Sequence, residues 1–301
     1  MIERREFILG LAQVVIAGAM VPRVYGAGTG DKLFDISLAE WSLHRTIHAG
    51  KLDNLDFPRY AKEEFGIGAV EYVNGFFYDK AKDKSYLGEL KKRAADVGVE
   101  NVLIMVDREG HMGGKTRAET EKTVERHKKW VEAAKFLGCH SIRVNAHGHG
   151  GREEAGKRVA EGLRLLSEFA EPMGVNVLVE NHGGLSSDGA WLAGVLKSVG
   201  MKNCGSLPDF GNFHSYDRYQ GLRDLMPFAM GVSAKSRVFD ADGNEAETDF
   251  RKAMEIVLAS GFKGYVGIEW EGGNISEQEG IRKTLALLEK VRSEMLAQGG
   301  K

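Results

Sequence analysis

Between Val175 and Phe213 the chain reads VNVLVENHGGLSSDGAWLAGVLKSVGMKNCGSLPDFGNF. Two short apolar runs, Val175 to Val179 and Cys204 to Pro208, are each stopped by a carboxylate, Glu180 and Asp209. The segment between them, from Ser187 to Val199, has helical periodicity, so the stretch predicts a strand, a helix and a second strand. Strands joined through a helix run parallel, which brings both acids to one rim of the sheet, where α/β folds place their chemistry. Gly264 to Ile268 repeats the pattern and stops at Glu269 in GYVGIEWEG. Three acids on one rim make a candidate site for a hard cation, which takes oxygen ligands.

The same alternation runs through the chain. Strands are expected near Leu33 to Leu38, Ala69 to Val73, Asn101 to Val106, Ser141 to Asn145, Val175 to Val179, Cys204 to Pro208, Ala229 to Ala234 and Tyr265 to Ile268. Between them Val159, Leu163, Leu166 and Ala170 share one helix face, and Ile281, Leu285, Leu288 and Met295 share another. Thr116 with Glu119 and Ser276 with Glu279 have capping-box spacing, while Gly138 and Gly261 stand where helices should end. Eight strands in alternation with helices, and no Pro-rich or low-complexity linker, predict an α/β fold of a single (β/α)8 TIM barrel.

The barrel is expected over residues 28–301, close to the ~250 residues typical of this architecture. Residues 1–27 read differently. Arg4 and Arg5 precede a thirteen-residue, mostly apolar run from Ile8 to Met20 and then small residues around Gly26 and Ala27. That run suits a signal sequence better than a bilayer span of about 20 residues, so the expectation is a twin-arginine signal peptide and export to the periplasm or beyond. A net charge of -2 from 41 basic and 43 acidic residues, well mixed, leaves no basic face for nucleic acid or anionic lipid. Cys139 and Cys204 lie far apart beside expected strands and read as buried thiols.

In a barrel the residues following each strand make one face. Here they are Glu40, Trp41 and His44; Glu71 and Asn74; Asp107 and His111; Asn145, His147 and His149; Glu180 and His182; Asp209, Asn212 and His214; Ser233, Lys235 and Arg237; Glu269 and Glu271. Loops of this kind are polar in any barrel, and His149, His214, Asp107 and Glu271 are assigned to that background. Glu71, in the run VEYVN, must be paired or face a cleft, because a buried carboxylate without either is costly. Trp41 and Phe76 offer faces to a ring-shaped ligand as well as to packing.

VLVENH at Glu180, LPDFGNF at Asp209, GVSAKS in the seventh strand and GYVGIEWEG at Glu269 resemble the sugar isomerases and epimerases built on the xylose-isomerase-like barrel, a group that includes D-tagatose 3-epimerase, hydroxypyruvate isomerase and inosose dehydratase. The likeness covers nearly all of residues 28–301. It implies a divalent metal, Mn2+, Mg2+ or Co2+, held by Glu180, Asp209 and Glu269, with a His or Gln as the remaining ligand. Ser233 stands at that last position, and a hydroxyl is a poor substitute for an imidazole. Three arrangements are open: water completes the shell, His182 or another rim group moves in, or the metal is lost and Lys235 supplies positive charge. In a purely structural alternative Lys235, Arg143 and Arg237 hold the acids in an ion-pair network.

The implied chemistry is proton transfer beside a carbonyl through an enediolate, with Glu180 and Glu269 as base and acid and Asp209 mainly a ligand. His182 would contact a hydroxyl or orient Glu180, and Glu71, Asn145, His147, Asn212, Lys235 and Trp41 are the other candidates for contact with a small carbohydrate. The resulting expectation is an isomerase or epimerase. A dehydratase, or a lyase or hydrolase acting on a 3-keto-glycoside, shares the chemistry up to the enediolate, and a sugar-binding barrel without turnover is the reading from another class. Endonuclease IV shares the fold, but its three-zinc histidine set and a basic face are both missing from this sequence. Substrate identity and any homo-oligomer are not fixed by sequence.

Overall fold

The computed structural model describes residues 33–299. The arginine pair, the apolar run and the expected start of the exported chain near Gly28 lie outside the described residues. The strands are β1 Asp35–Ala39, β2 Ala69–Val73, β3 Glu100–Met105, β4 Ser141–Asn145, β5 Asn176–Glu180, β6 Cys204–Leu207, β7 Val232–Ser236 and β8 Tyr265–Trp270. They alternate with α1 His44–His48, α2 Phe57–Phe65, α3 Lys84–Asp96, α4 Arg117–Leu137, α5 Arg152–Ala170, α6 Gly189–Val199, α7 Arg218–Leu225, α8 Phe250–Ala259 and α9 Glu277–Gly299.

All pairings are parallel, in the order β6-β5-β4-β3-β2-β1-β8-β7. Between β6 and β7 the ring is completed by single bridges, Ser206 with Ala229 and Asp209 with Ser233. Ser233 N donates to Pro208 O at 2.9 Å and Phe210 N to Ser233 O at 3.0 Å. The eight strands therefore form a nearly closed (β/α)8 barrel, and its weakest seam runs beside Asp209.

Strand alternation sorts the side chains into two environments. Outward residues such as Ile142, Val144, Val232, Ala234, Val266, Ile268 and Trp270 join the main apolar layer under the helices. A smaller cluster, including Ala69, Leu103, Leu178, Leu207 and Met230, is separate from it. The residues that alternate with the outward set are Ser141 and Arg143 in β4, Ser233 and Lys235 in β7, and Gly267 and Glu269 in β8.

Where β5, β7 and β8 run further than expected, buried charge is the reason. β5 includes Glu180, β8 runs past Ile268 to Trp270, and β7 starts three residues late and continues through Lys235 to Ser236. Apolar-run reading halts at the first charge, whereas a barrel interior keeps pairing through one that finds a partner. Elsewhere local signals act as expected: Thr116 Oγ1 accepts from Glu119 N at 3.2 Å, Ser276 Oγ from Glu279 N at 3.1 Å, and Gly138 closes α4 with φ 88°. Cys139 and Cys204 are free and buried. Among the described residues no helix is long and apolar enough to cross a membrane.

Candidate active site

β5, the end of β6 and β8 bring Glu180, Asp209 and Glu269 together, with one carboxylate oxygen of each lying within 4.8 Å of the others. All three are buried, at 1%, 0% and 4% exposure, so their charges must be balanced locally. Lys235, itself 2% exposed, does much of this: its Nζ lies 3.4 Å from Asp209 Oδ2, 3.2 Å from Glu269 Oε1 and 3.3 Å from Glu271 Oε1. Arg143 Nε is 2.9 Å from Glu180 Oε2, and its Nη1 is 2.9 Å from Asp107 Oδ1. Asn212 Nδ2 donates to Glu180 Oε1 at 3.0 Å.

Burial dominates the proton affinities. It pushes Glu180 and Asp209 up to about 7 against the opposing charges of Arg143 and Lys235, and the acids' mutual repulsion adds to the rise. Burial also opposes charge on Lys235 and Arg143, but the surrounding carboxylates outweigh it and hold both cations protonated. Asp107 likewise loses solvent, yet Arg143 holds it down at about 2. His182 is pushed below its usual range by burial and by the nearby charges of Arg143 and Lys235, which keeps its imidazole neutral.

Ser233 sits between two acids, its Oγ 3.0 Å from Asp209 Oδ2 and 2.8 Å from Glu269 Oε2. A hydroxyl has one proton, so both contacts are satisfied together when one carboxyl is protonated or a cation draws the oxygens together. Glu180 Oε2 is paired with Arg143 Nε by charge alone, since their 2.9 Å contact lacks hydrogen-bond geometry. Oxygens around one six-coordinate ion at about 2.1 Å lie about 3 to 4.2 Å apart, so these three need only small movements to surround one. The anionic, all-oxygen donor set therefore fits a hard divalent cation.

Above the acids lies a cavity of about 260 Å³ lined by Trp41, His48, Phe76, Arg108, His182, Glu269 and others. Trp41 and Phe76 are stacked at 6.0 Å, and Trp41 Nε1 donates to Glu271 Oε1 at 2.9 Å. Of the sequence candidates, Trp41, His182 and Glu269 line this space, while Glu180, Asp209, Lys235 and Asn212 form the layer connected to it. Asn145 instead supports Asp107, donating to its Oδ1 at 2.7 Å, and His147 packs on His111. Glu71 sits in mid-strand in β2, where Ser37 Oγ donates to its Oε1 at 2.5 Å and a Cβ on Gly267 would fall 2.5 Å from the same oxygen. It lies apart from the cavity lining, and burial, with the charges of Glu269 and Glu180 adding to it against the Ser37 bond, raises it to about 7.

Two residues assigned to the polar background belong to the site. Glu271 joins Trp41, Lys235 and Arg237, and Asp107 joins Arg143 and Asn145. The available signal was the pair of charges inside strands, Arg143 in SIRVN and Lys235 in VSAKS, since each buried cation requires carboxylates nearby. Arg108, at φ 63°, was not singled out by sequence pattern.

Three solved structures share this fold. The E. coli 3-keto-D-glucoside 4-epimerase is 18% identical, with a TM-score of 0.67 over 86% of this chain and 100% of that one. The IolI protein, solved with a bound zinc atom, is 16% identical, with a TM-score of 0.70 over 87% and 99%. A barrel from Mycobacterium smegmatis in complex with magnesium is 15% identical, with a TM-score of 0.67 over 88% and 99%. At such identities the likeness speaks for fold. No curated protein matches the sequence. The sequence itself carries the family pattern over residues 59–291, most of the barrel just described, and the chain belongs to the xylose isomerase-like TIM barrel family.

Proposed function

We propose that this protein is a divalent-cation-dependent isomerase or epimerase of a keto-sugar or keto-glycoside, acting by proton transfer at the carbon beside the carbonyl. The observation that carries the reading is the convergence of Glu180, Asp209 and Glu269 within 4.8 Å beneath a cavity with an aromatic wall. Glu180, Asp209 and Glu269 would hold the ion, which when bound supplies Lewis-acid polarisation of a carbonyl. The zinc and magnesium seen in two proteins of this fold support that choice. At about 260 Å³ the cavity falls just below the range of ~300–1,000 Å³ usual for small-molecule sites, a size suited to one sugar unit.

Glu269 reaches the cavity and is the group placed to take a proton from substrate. Glu180 is the partner carboxylate of the pair, and Arg143 and Asn212 fix its orientation. Neutral His182 is placed to hydrogen-bond a hydroxyl, while Trp41 and Phe76 offer apolar faces to the ring. Incubation with candidate keto-sugars in D2O should place deuterium at the reacting carbon. Glu180→Gln and Glu269→Gln should each lower turnover by about 10² to 10⁴, with metal content measured in each variant. Full activity in either variant removes that residue from the pair, and prolonged incubation with neither exchange nor product selects a binding protein without turnover.

One observation favours a second reading. Lys235 Nζ lies within 3.4 Å of Asp209, Glu269 and Glu271, so it already provides positive charge at the acids. In that reading Lys235 is the electrophile, turnover survives removal of metal, and Lys235→Met abolishes it. We further propose that the protein is exported by the twin-arginine route, on the strength of Arg4, Arg5 and the apolar run that follows them.

A further inference from the structure

We propose that His111, His147 and His149 form a second metal site, for a borderline divalent transition metal of the Zn2+ and Cu2+ class, separate from the acid triad. His111 lies in the connection from β3 to α4, and His147 and His149 lie in the connection from β4 to α5. The two connections are fastened to each other: Gly113 N donates to His147 O at 2.9 Å and His149 N donates to Gly113 O at 3.0 Å. A Cβ on Gly113 would come within 2.9 Å of Gly148 Cα, and one on Gly148 within 2.9 Å of Ala155 O. Glycine at both positions thus permits an approach that fixes the three histidines on one backbone platform.

His111 is spaced from each of the other two as ligands to one ion are. With Zn–N near 2.1 Å and about 1.1 Å from nitrogen to ring centre, two imidazoles on a tetrahedral ion have centres about 5.2 Å apart. His111 stands 5.4 Å from His147 and 5.4 Å from His149, centre to centre. Hydrogen bonds engage the rings of His44, His127 and His140, but none holds the rings of these three among the described residues. Aiming their nitrogens at one point takes rotation about the side-chain bonds, which exposed and half-buried rings complete in picoseconds to nanoseconds.

Ligand chemistry separates the two sites. Imidazole nitrogen selects Zn2+, Ni2+ or Cu2+, whereas the oxygen triad suits Mg2+ or Mn2+, so the two kinds of ion should partition between them. Three protein ligands leave a coordination position for water.

The test uses the metal-stripped full chain in excess Mg2+, titrated with Cu2+ and followed by electron paramagnetic resonance. The first equivalent should show hyperfine coupling to nitrogen. His111→Gln and His149→Gln, both at solvent-accessible positions, should each weaken Cu2+ binding about tenfold or more while leaving the metal-free melting temperature unchanged. A first equivalent with oxygen ligation alone, or unchanged affinity in both variants, overturns the proposal whatever the acid triad binds.

Discussion

Replacing Lys235 with Met keeps the volume and removes the charge that faces Asp209, Glu269 and Glu271 at 3.2–3.4 Å. At an effective dielectric constant of about 20, each contact at that distance has a gross attraction of about 5 kcal/mol. Desolvation of the buried ions offsets most of the sum, and breaking a buried pair by removing one partner costs about 3–5 kcal/mol. For a chain of this size 1 kcal/mol corresponds to roughly 2–4 °C, so Lys235→Met should lower the melting temperature in EDTA by about 6–20 °C. The loss should grow with pH. Asp209 and Glu180 are already raised to about 7, so between the unfolded carboxyl value and that pKa the native state binds the extra protons. Stability from that protonation is present at low pH and is lost as pH rises, and removing Lys235 moves the loss to higher pH and enlarges it. A divalent cation replaces the missing charge: at 100 times its Kd it stabilises by about 2.7 kcal/mol, and Mn2+ should rescue the variant more than it stabilises the wild type. Differential scanning fluorimetry with EDTA, Mn2+ and Mg2+ measures both effects. Equal melting temperatures for variant and wild type in EDTA would refute the charge argument, and a variant that ignores Mn2+ would refute the cation site.

Two further outcomes test other parts of the molecule. Burial lowers His127 and His140 to about 4, so each stays neutral in the fold while the unfolded chain takes a proton below about 6.5. Their contribution is complete above pH 6.5 and disappears as pH falls to 4, up to about 3 kcal/mol each; urea denaturation across that window should show the decline, and His127→Gln should flatten it. Arg4→Lys with Arg5→Lys should hold the protein in the cytoplasm, and wild-type amounts in the periplasmic fraction would refute the twin-arginine proposal.

Strand period, helix period and the acids that stop strands are local properties, and they were enough to specify a parallel eight-stranded barrel and to set Glu180, Asp209 and Glu269 on its inner wall. Which acid meets which cation was not legible, because ring closure decides it. β7 and β8 pair so that Lys235 lies opposite Glu269, and the bridge between Asp209 and Ser233 brings the last carboxylate to the same point. Depth along the barrel was equally hidden: Glu71 and Glu269 are both strand acids, but Gly267 leaves room for the first in the interior while the second reaches the cavity. Ser233 shows the division most clearly. Its hydroxyl, weak as a lone ligand in the sequence, becomes a link between Asp209 and Glu269 when three strands from distant parts of the chain close around it, since burial makes each contact strong and leaves no water to compete.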